Sequence, residues 1–222
     1  MSRGLGDVYK RQDISHLLSI VVLIQTIKKT AQIEGISFKT QTLYAIIYFT
    51  RYLDVFMFKK QSVYNFLFKV TFMGTSIYIL HLMKQCNRIN PVSYNDMLSK
   101  DTFKVKYCIA FAAIMALLFH YKFTFVQLSW SFSVWLESIC IIPQLFLLQK
   151  LRKADAITVH YIFLLGIYRL LYIPNWIWRY YVEVRFEKIS FFAGILQTIV
   201  FSDFFYVYFT RITQGKDFQL PH

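Results

Sequence analysis

The sequence predicts an all-α membrane protein of seven transmembrane helices, and three observations support that prediction. Hydrophobic residues make up 56% of the 222 residues and charged residues only 17%, which is below the roughly 25% usual in soluble domains. The mean hydropathy is +0.41. The apolar stretches are long and do not alternate with polar residues, which indicates helices rather than the strands of a membrane barrel.

Seven apolar segments are candidate transmembrane helices, numbered here as spans one to seven. They cover residues 13–28, 38–57, 62–83, 105–120, 124–149, 156–179 and 187–210. Several are close to the lower limit of about 17–20 residues that cross the hydrocarbon. Span two contains RYLDVF from Arg51, and span six contains RLLYIPNW from Arg169. This short internal repeat fits a 3+1+3 arrangement in which span four is the connector.

The gaps between the spans carry positive charge unevenly. Thirteen Lys and Arg residues lie in alternate gaps and in the C-terminal tail, whereas five lie in the opposite gaps and three within residues 1–12. The positive-inside rule therefore predicts a cytosolic C-terminus, and seven spans then place the N-terminus in the lumen or outside the cell. The net charge of +13 does not indicate a nucleic-acid partner, because the charges form no continuous basic face. The three cysteines lack metal-ligand spacing and predict no disulfide framework.

Ionisable residues interrupt the apolar spans, where they are costly unless they face a cavity or a partner. The candidates for a functional role are His16, Arg51, Asp54, Lys69, Glu137, Arg169, Arg179 and Asp203. At about 100° per residue, span five and span six each place their polar and aromatic residues on one stripe. These stripes comprise Gln127, Trp130, Glu137 and Gln144 in span five, and Tyr168, Arg169, Tyr172, Asn175, Trp176 and Arg179 in span six. The simplest explanation is a water-filled cavity between the two helices.

Structural explanations compete with a functional one for each charge. Arg51 and Asp54 are three residues apart, share a helix face and could neutralise each other. Glu137 could neutralise an arginine, and Asp203 could hydrogen-bond a neighbouring helix. Lys69 could extend to the interface or pair with an acid.

The arginines nevertheless outnumber the acids available to them. Arg179 could contact lipid headgroups, and His16 could be a hydrogen-bonded core histidine. Together, however, Arg51, Arg169 and Arg179 suit a multiply anionic ligand, because arginine binds carboxylates through two parallel hydrogen bonds. A histidine nearby would add a charge that appears between about pH 7 and 5.

These residues lie in segments that resemble the KDEL/HDEL receptor family, the retrieval receptors for ER lumenal proteins, in its fungal-like HDEL type. The matching segments are DISHLL (13–18), TRYLDVF (50–56), SVYN (62–65), DTFKV (101–105), LSWSFSVWLESICIIPQLF (128–146), ITVHYIFLLGIYRLLYIPNWIWRYY (157–181) and AGILQTIVFSDFFYVYFT (193–210). They cover most of the chain from residue 13 onward. The resemblance implies seven helices, a lumenal N-terminus and a fold like that of SWEET and PQ-loop transporters.

The resemblance also implies a mechanism. Such receptors bind the C-terminal HDEL/KDEL-type tetrapeptides of escaped ER proteins in the acidic Golgi, return to the ER by coatomer-dependent retrograde transport and release their cargo at neutral pH. They are multi-pass proteins of the ER and cis-Golgi membrane. The implied partners are the tetrapeptides, coatomer and membrane lipids, with no nucleic acid, no cofactor and no enzymatic activity. The alternative that the fold permits is a small-solute transporter of the SWEET/PQ-loop type.

Ligand-binding roles carry over residue by residue. Arg51 and Arg169 match the arginines that hold the terminal carboxylate of the peptide, and Arg179 matches one that holds an acidic side chain. Trp130 matches an aromatic residue that packs on the first ligand residue. The residues that match the supporting lining of the family's ligand site are Asp54, Tyr168, Tyr172, Asn175 and Trp176.

The pH response and the cytosolic tail carry over as well. His16 with Glu137 matches the pH-sensing element, and Asp203 is assigned a structural or gating role. Residues 211–222 form the predicted cytosolic tail, in which Arg211 and Lys216 stand where the family has lysines that coatomer reads.

Two regions depart from the family pattern. Gln127 and Lys122 stand where the family usually has acids that suit a lysine at the first ligand position, which predicts a preference for HDEL over KDEL. Residues 1–12, MSRGLGDVYKRQ, lack the family's N-terminal pattern, and DVYKRQ resembles translated sequencing adapter. We therefore treat residues 1–12 as a suspect segment and residues 13–210 as the receptor domain.

Overall fold

The computed structural model describes residues 3–30, 33, 35–57, 62–151, 162–167, 170 and 187–213. Within these residues the helices are α1 (Arg3–Thr30), α2 (Phe38–Arg51), α3 (Leu53–Phe56), α4 (Val63–Ile89), α5 (Pro91–Lys100), α6 (Lys106–Leu118), α7 (Phe125–Ile139), α8 (Ile142–Leu151) and α9 (Lys188–Thr213). Residues 162–167 form a further helical segment. The described part of the chain contains no strand, so the predicted all-helical class is confirmed.

Among the described residues, two helical stretches are long and apolar enough to cross a membrane. They are Val63–Ile89, which is α4, and Phe125–Leu151, which joins α7 and α8. In the most apolar 18-residue segment of each stretch, the buried share is 28% for α4 and 72% for Phe125–Leu151. The α7–α8 stretch is therefore the central one of the two, whereas α4 leaves most of its apolar surface exposed. The seven-span count and the 3+1+3 arrangement stay predictions.

Breaks divide two of the predicted spans. Span two is interrupted at Tyr52, whose φ of −104° and ψ of 32° separate α2 from α3. Span five is interrupted at Cys140 and Ile141. Pro143 explains this second break, because proline has no backbone N–H to donate to the carbonyl of Ile139 four residues earlier. The sequence treated both spans as continuous helices.

The polar connection after span three is itself largely helical. α4 continues to Ile89, beyond the predicted end of the span at residue 83. Asn90 then starts α5, since its side chain accepts a hydrogen bond from Ser93 N at 3.2 Å and Pro91 takes the first helical position. Asparagine at the N-cap and proline at the first position are favoured helix starts.

The core forms where α7 meets its neighbours. α7 packs against α2, α6 and α9, and α2 also packs against α4. Leu43 and Ile47 of α2 and Leu136 of α7 are fully buried members of the core. This arrangement places the C-terminal end of α2, with Arg51, beside the middle of α7.

Candidate functional site

Arg51 is the last residue of α2 and extends its guanidinium towards α7. Its Nε donates to Ser133 Oγ at 3.1 Å, and its Nη1 forms an ion pair with Glu137. The Glu137 side chain is 3% exposed and that of Arg51 18%. A carboxylate buried to this extent requires a paired charge. Glu137 therefore neutralises Arg51, one of the structural explanations that the sequence left open.

The face of α7 that meets Arg51 carries three residues at helical spacing. Trp130, Ser133 and Glu137 are three and four residues apart, so they share one face. The Ser133 hydroxyl donates to the Trp130 carbonyl at 2.6 Å, which leaves its oxygen to accept from Arg51. The half-buried ring of Trp130 lies 6.0 Å from the ring of Tyr121, centroid to centroid. Ser133 was missed by the sequence analysis, although its spacing from Trp130 and Glu137 would have found it.

One edge of the Arg51 guanidinium is unused. Arg51 Nη2 is buried and has no hydrogen-bond partner among the described residues. A guanidinium has five N–H donors, and buried polar atoms in folded proteins are nearly always paired. The arrangement therefore leaves a positively charged donor that can take a carboxylate or another anionic acceptor.

Asp54 has a different partner from the one expected. Its Oδ2 forms an ion pair with Lys69 Nζ of α4, and these side chains are 30% and 21% exposed. The Lys69 ammonium also lies 5.8 Å from the centre of the Tyr52 ring. The expectation that Asp54 neutralises Arg51 is corrected, because the break at Tyr52 ends the helix face that the two residues were expected to share. Lys69 does pair with an acid, as one of the sequence alternatives held.

His16 is a buried histidine of α1 that contacts two other helices. It is 5% exposed, and its Nε2 is 2.8 Å from the hydroxyl of Tyr48 of α2. Its ring stacks on Phe72 of α4 with 4.9 Å between centroids. A proton added to this imidazole would make both ring nitrogens donors, so the Tyr48 hydroxyl would then have to accept.

α2 connects the two residues predicted to sense pH. Tyr48, which bonds His16, and Arg51, which pairs with Glu137, lie three residues apart on α2. Residues at this spacing are neighbours on a helix surface. His16 and Glu137 therefore each contact α2 within one turn of the other, His16 from α1 and Glu137 from α7.

A small cavity with a mixed polar and apolar lining adjoins His16. Its volume is about 20 Å³, and Gln41, Ser76 and Tyr48 contribute to its lining together with Leu165 of the helical segment 162–167. A cavity of this size with several polar groups has room for about one water molecule. The larger water-filled cavity that was predicted between spans five and six falls mainly on residues outside the described ranges.

Gln144 binds the backbone of the connection that leads into α2. Its Oε1 accepts from Ser37 N at 2.8 Å, and its Nε2 donates to the Gly35 carbonyl at 2.6 Å. The side chain is fully buried. Gln144 therefore anchors the connection before α2, whereas Glu137 meets Arg51 at the other end of that helix. A stripe shared by the two side chains stays a prediction.

The remaining predicted site residues fall partly or wholly outside the described part of the chain. Those outside it are Tyr168, Arg169, Tyr172, Asn175, Trp176, Arg179 and Lys216. Asp203 and Arg211 belong to α9, but only their backbone is described. Within the described ranges no three His, Cys, Asp or Glu side chains are grouped so that they could hold a metal ion.

The fold and the site together define an all-helical protein that has helices able to cross a membrane and a buried, charged cluster. The family model described as ER lumen protein retaining receptor matches residues 32–179. The chain is 55% identical to an ER lumen protein-retaining receptor of Saccharomyces cerevisiae over 94% of this chain and 96% of that protein. It is 52% identical to the one of Kluyveromyces lactis, over 94% and 95%. It is 41% identical to ER lumen protein-retaining receptor 2 of Homo sapiens, over 94% and 96%. The chain belongs to the ER lumen protein-retaining receptor family, which confirms the resemblance seen in its sequence.

Proposed function

We propose that this protein is a receptor for C-terminal HDEL/KDEL-type retrieval signals of escaped ER lumenal proteins. It binds the tetrapeptide at the acidic pH of the Golgi, returns to the ER by coatomer-dependent retrograde transport and releases the cargo at neutral pH. The names of its relatives support the retention role. They favour it over the alternative of a SWEET/PQ-loop-type solute transporter.

The observation that carries the proposal is the unused edge of Arg51. A peptide ending in Asp/Glu–Glu–Leu offers a terminal carboxylate and two acidic side chains, and guanidinium groups bind such acceptors through two parallel hydrogen bonds. Arg51 Nη2 is available for one of these contacts. Arg169 and Arg179 would supply the other two charges, and Trp130 would pack on the first ligand residue. Asp54 and the polar residues of span six would complete the lining.

The pH response follows from proton linkage. If the peptide-bound conformation holds a proton on His16 more tightly than the free conformation does, peptide affinity must rise as the pH falls and must fall as the pH rises. The contact between His16 and Tyr48 supports a route for this coupling, because Tyr48 lies one turn from Arg51 on α2. Glu137 pairs with Arg51, so its carboxylate would set how much positive charge Arg51 presents to the peptide.

The proposed topology has seven transmembrane helices in a 3+1+3 arrangement, with the N-terminus in the lumen and the C-terminus in the cytosol. Thirteen of the 25 Lys and Arg residues support the orientation by lying in alternate gaps and the tail. Arg211 and Lys216 would then face coatomer, and Asp203 would have a structural or gating role. The apolar surface would contact the lipids of the ER and cis-Golgi membranes.

Peptide binding tests the proposal directly. Purified protein should bind an HDEL peptide at about pH 5.5 at least roughly tenfold more tightly than at about pH 7.5 by calorimetry, since a single linked proton changes affinity by up to about tenfold per pH unit. Arg51→Ala should abolish binding, because the edge that receives the carboxylate is removed. Arg88→Ala, at an exposed arginine of α4, is the control and should bind like the wild type. Solute uptake into vesicles without peptide binding would contradict the proposal, and unfolding of Arg51→Ala would restore the structural explanation for the arginine.

A further inference from the structure

Lys69 contacts two residues of the short segment that follows Arg51. Its ammonium forms an ion pair with the Asp54 carboxylate and lies over the Tyr52 ring. The two contacts come from one α4 side chain and bracket the helix break after α2. Lys69 therefore fixes the position of the Asp54 carboxylate.

Asp54 is the carboxylate nearest to Arg51 in sequence. Arg51 already pairs with Glu137 and bonds Ser133, and only its buried Nη2 edge remains without a partner among the described residues. A nearby carboxylate that had no partner of its own would be attracted to this edge, because opposite charges attract strongly where water is largely excluded. The structure shows Asp54 held by α4 instead.

We propose that Lys69 is a positioning residue for peptide binding. By holding Asp54, it prevents this carboxylate from occupying the free edge of Arg51 and so keeps that edge available for the terminal carboxylate of the ligand. The inference rests on the proposed function. It assigns to Lys69 an action on the ligand through Asp54 and Arg51, with no contact of its own with the peptide.

This role has a distinctive charge signature. Without the ammonium, Asp54 loses its partner and competes with the peptide for Arg51, so carboxylate binding weakens. Without both charges there is no competitor, so loss of Lys69 no longer matters. A cation that contacted the peptide directly would matter in both backgrounds.

A double-mutant cycle measures this signature. The affinity of an HDEL peptide is measured at acidic pH for the wild type, Lys69→Gln, Asp54→Asn and the double variant. Lys69→Gln should bind about tenfold more weakly, which corresponds to about 1.4 kcal/mol. In the Asp54→Asn background the same change should alter the affinity by less than about threefold, within the spread expected of uncoupled sites. Lys69→Arg keeps the charge and should stay close to the wild type.

A second ligand separates positioning from a general structural role. The same peptide with a C-terminal carboxamide lacks the charge that Arg51 would receive. The preference for carboxylate over carboxamide should fall in Lys69→Gln and recover in the double variant, which loss of stability alone would not produce. Lys100→Gln removes the comparable pair with Asp96 on α5 and should leave both affinities unchanged.

Three results would overturn the inference. They are wild-type affinity in Lys69→Gln, an equal loss of affinity whether or not the Asp54→Asn change is also present, and equal weakening of the carboxylate and carboxamide peptides. Failure of the wild-type protein to bind any HDEL peptide would instead contradict the proposed function. The two failures are therefore distinguishable within one set of measurements.

Discussion

At the scale of single residues, the choice of partner decides what each charge can do. Arg51 and Asp54 are close in sequence, yet Arg51 pairs with Glu137 and Asp54 pairs with Lys69. This pairing gives each of the two cations a carboxylate, and the Arg51 Nη2 group keeps no hydrogen-bond partner among the residues that the structure describes. The sequence identified Arg51 and Glu137 as unusual residues in apolar spans, but not that they form one pair.

His16 carries the pH prediction at this scale. Linkage of binding to a single proton changes affinity by up to about tenfold per pH unit. His16→Ala should therefore reduce the ratio of affinities at acidic and neutral pH to within about twofold, because the titrating group is gone. The measurement is peptide binding as a function of pH, together with thermal unfolding to show that the variant is folded.

A matched histidine variant provides the control for this experiment. His81 lies on the exposed side of α4, so His81→Ala should keep the full pH dependence. A folded His16→Ala protein that retained the wild-type ratio would show that another group senses the pH.

At the scale of helices, the breaks matter as much as the helices themselves. Composition and periodicity located the apolar segments, because burial and lipid contact require long uninterrupted runs of apolar residues. They did not locate the break at Tyr52, which no proline or glycine marks. Pro143 did mark the break in span five, because proline cannot donate the backbone hydrogen bond that would continue the helix.

The connection before α2 depends on Gln144, which gives a second prediction. Gln144→Leu would leave the Ser37 N–H and the Gly35 carbonyl buried without their partner, and each such group costs about 1–3 kcal/mol. We expect the free energy of unfolding to fall by about 2 kcal/mol or more, which lowers the melting temperature by roughly 4–8 °C for a chain of this size. Thermal unfolding in detergent measures this shift.

The control for this prediction is a glutamine near the other end of the same helical stretch. Gln127 is only half-buried in the first turn of α7, so Gln127→Leu should change the melting temperature much less. Equal shifts for the two variants would contradict an anchoring role for Gln144.

At the scale of the whole molecule, the distribution of charge predicts ligand preference. Lys122 is exposed in the connection between α6 and α7, and Gln127 lies one turn before Trp130. Neither offers the carboxylate that a lysine at the first ligand position would need. We expect HDEL peptides to bind more tightly than KDEL peptides at acidic pH.

Restoring the acids tests this preference. Lys122→Glu combined with Gln127→Glu should raise KDEL affinity a few-fold, since exposed charge pairs contribute about 0.2–1 kcal/mol each. Lys104→Glu, at an exposed position outside this connection, should have no such effect. Tighter binding of KDEL than of HDEL by the unmodified protein would contradict the prediction.

The sequence by itself determined the class of the protein and its family. Apolar composition, long spans and specific motifs are local properties of the chain, so they can be recognised in the sequence alone. Only the tertiary structure decided which polar groups meet, because the partners come from distant segments: Arg51 and Ser133 are 82 residues apart, and Ser37 and Gln144 are 107 apart. Pairings of this kind depend on how helices pack and where they break, and neither composition nor periodicity contains that information.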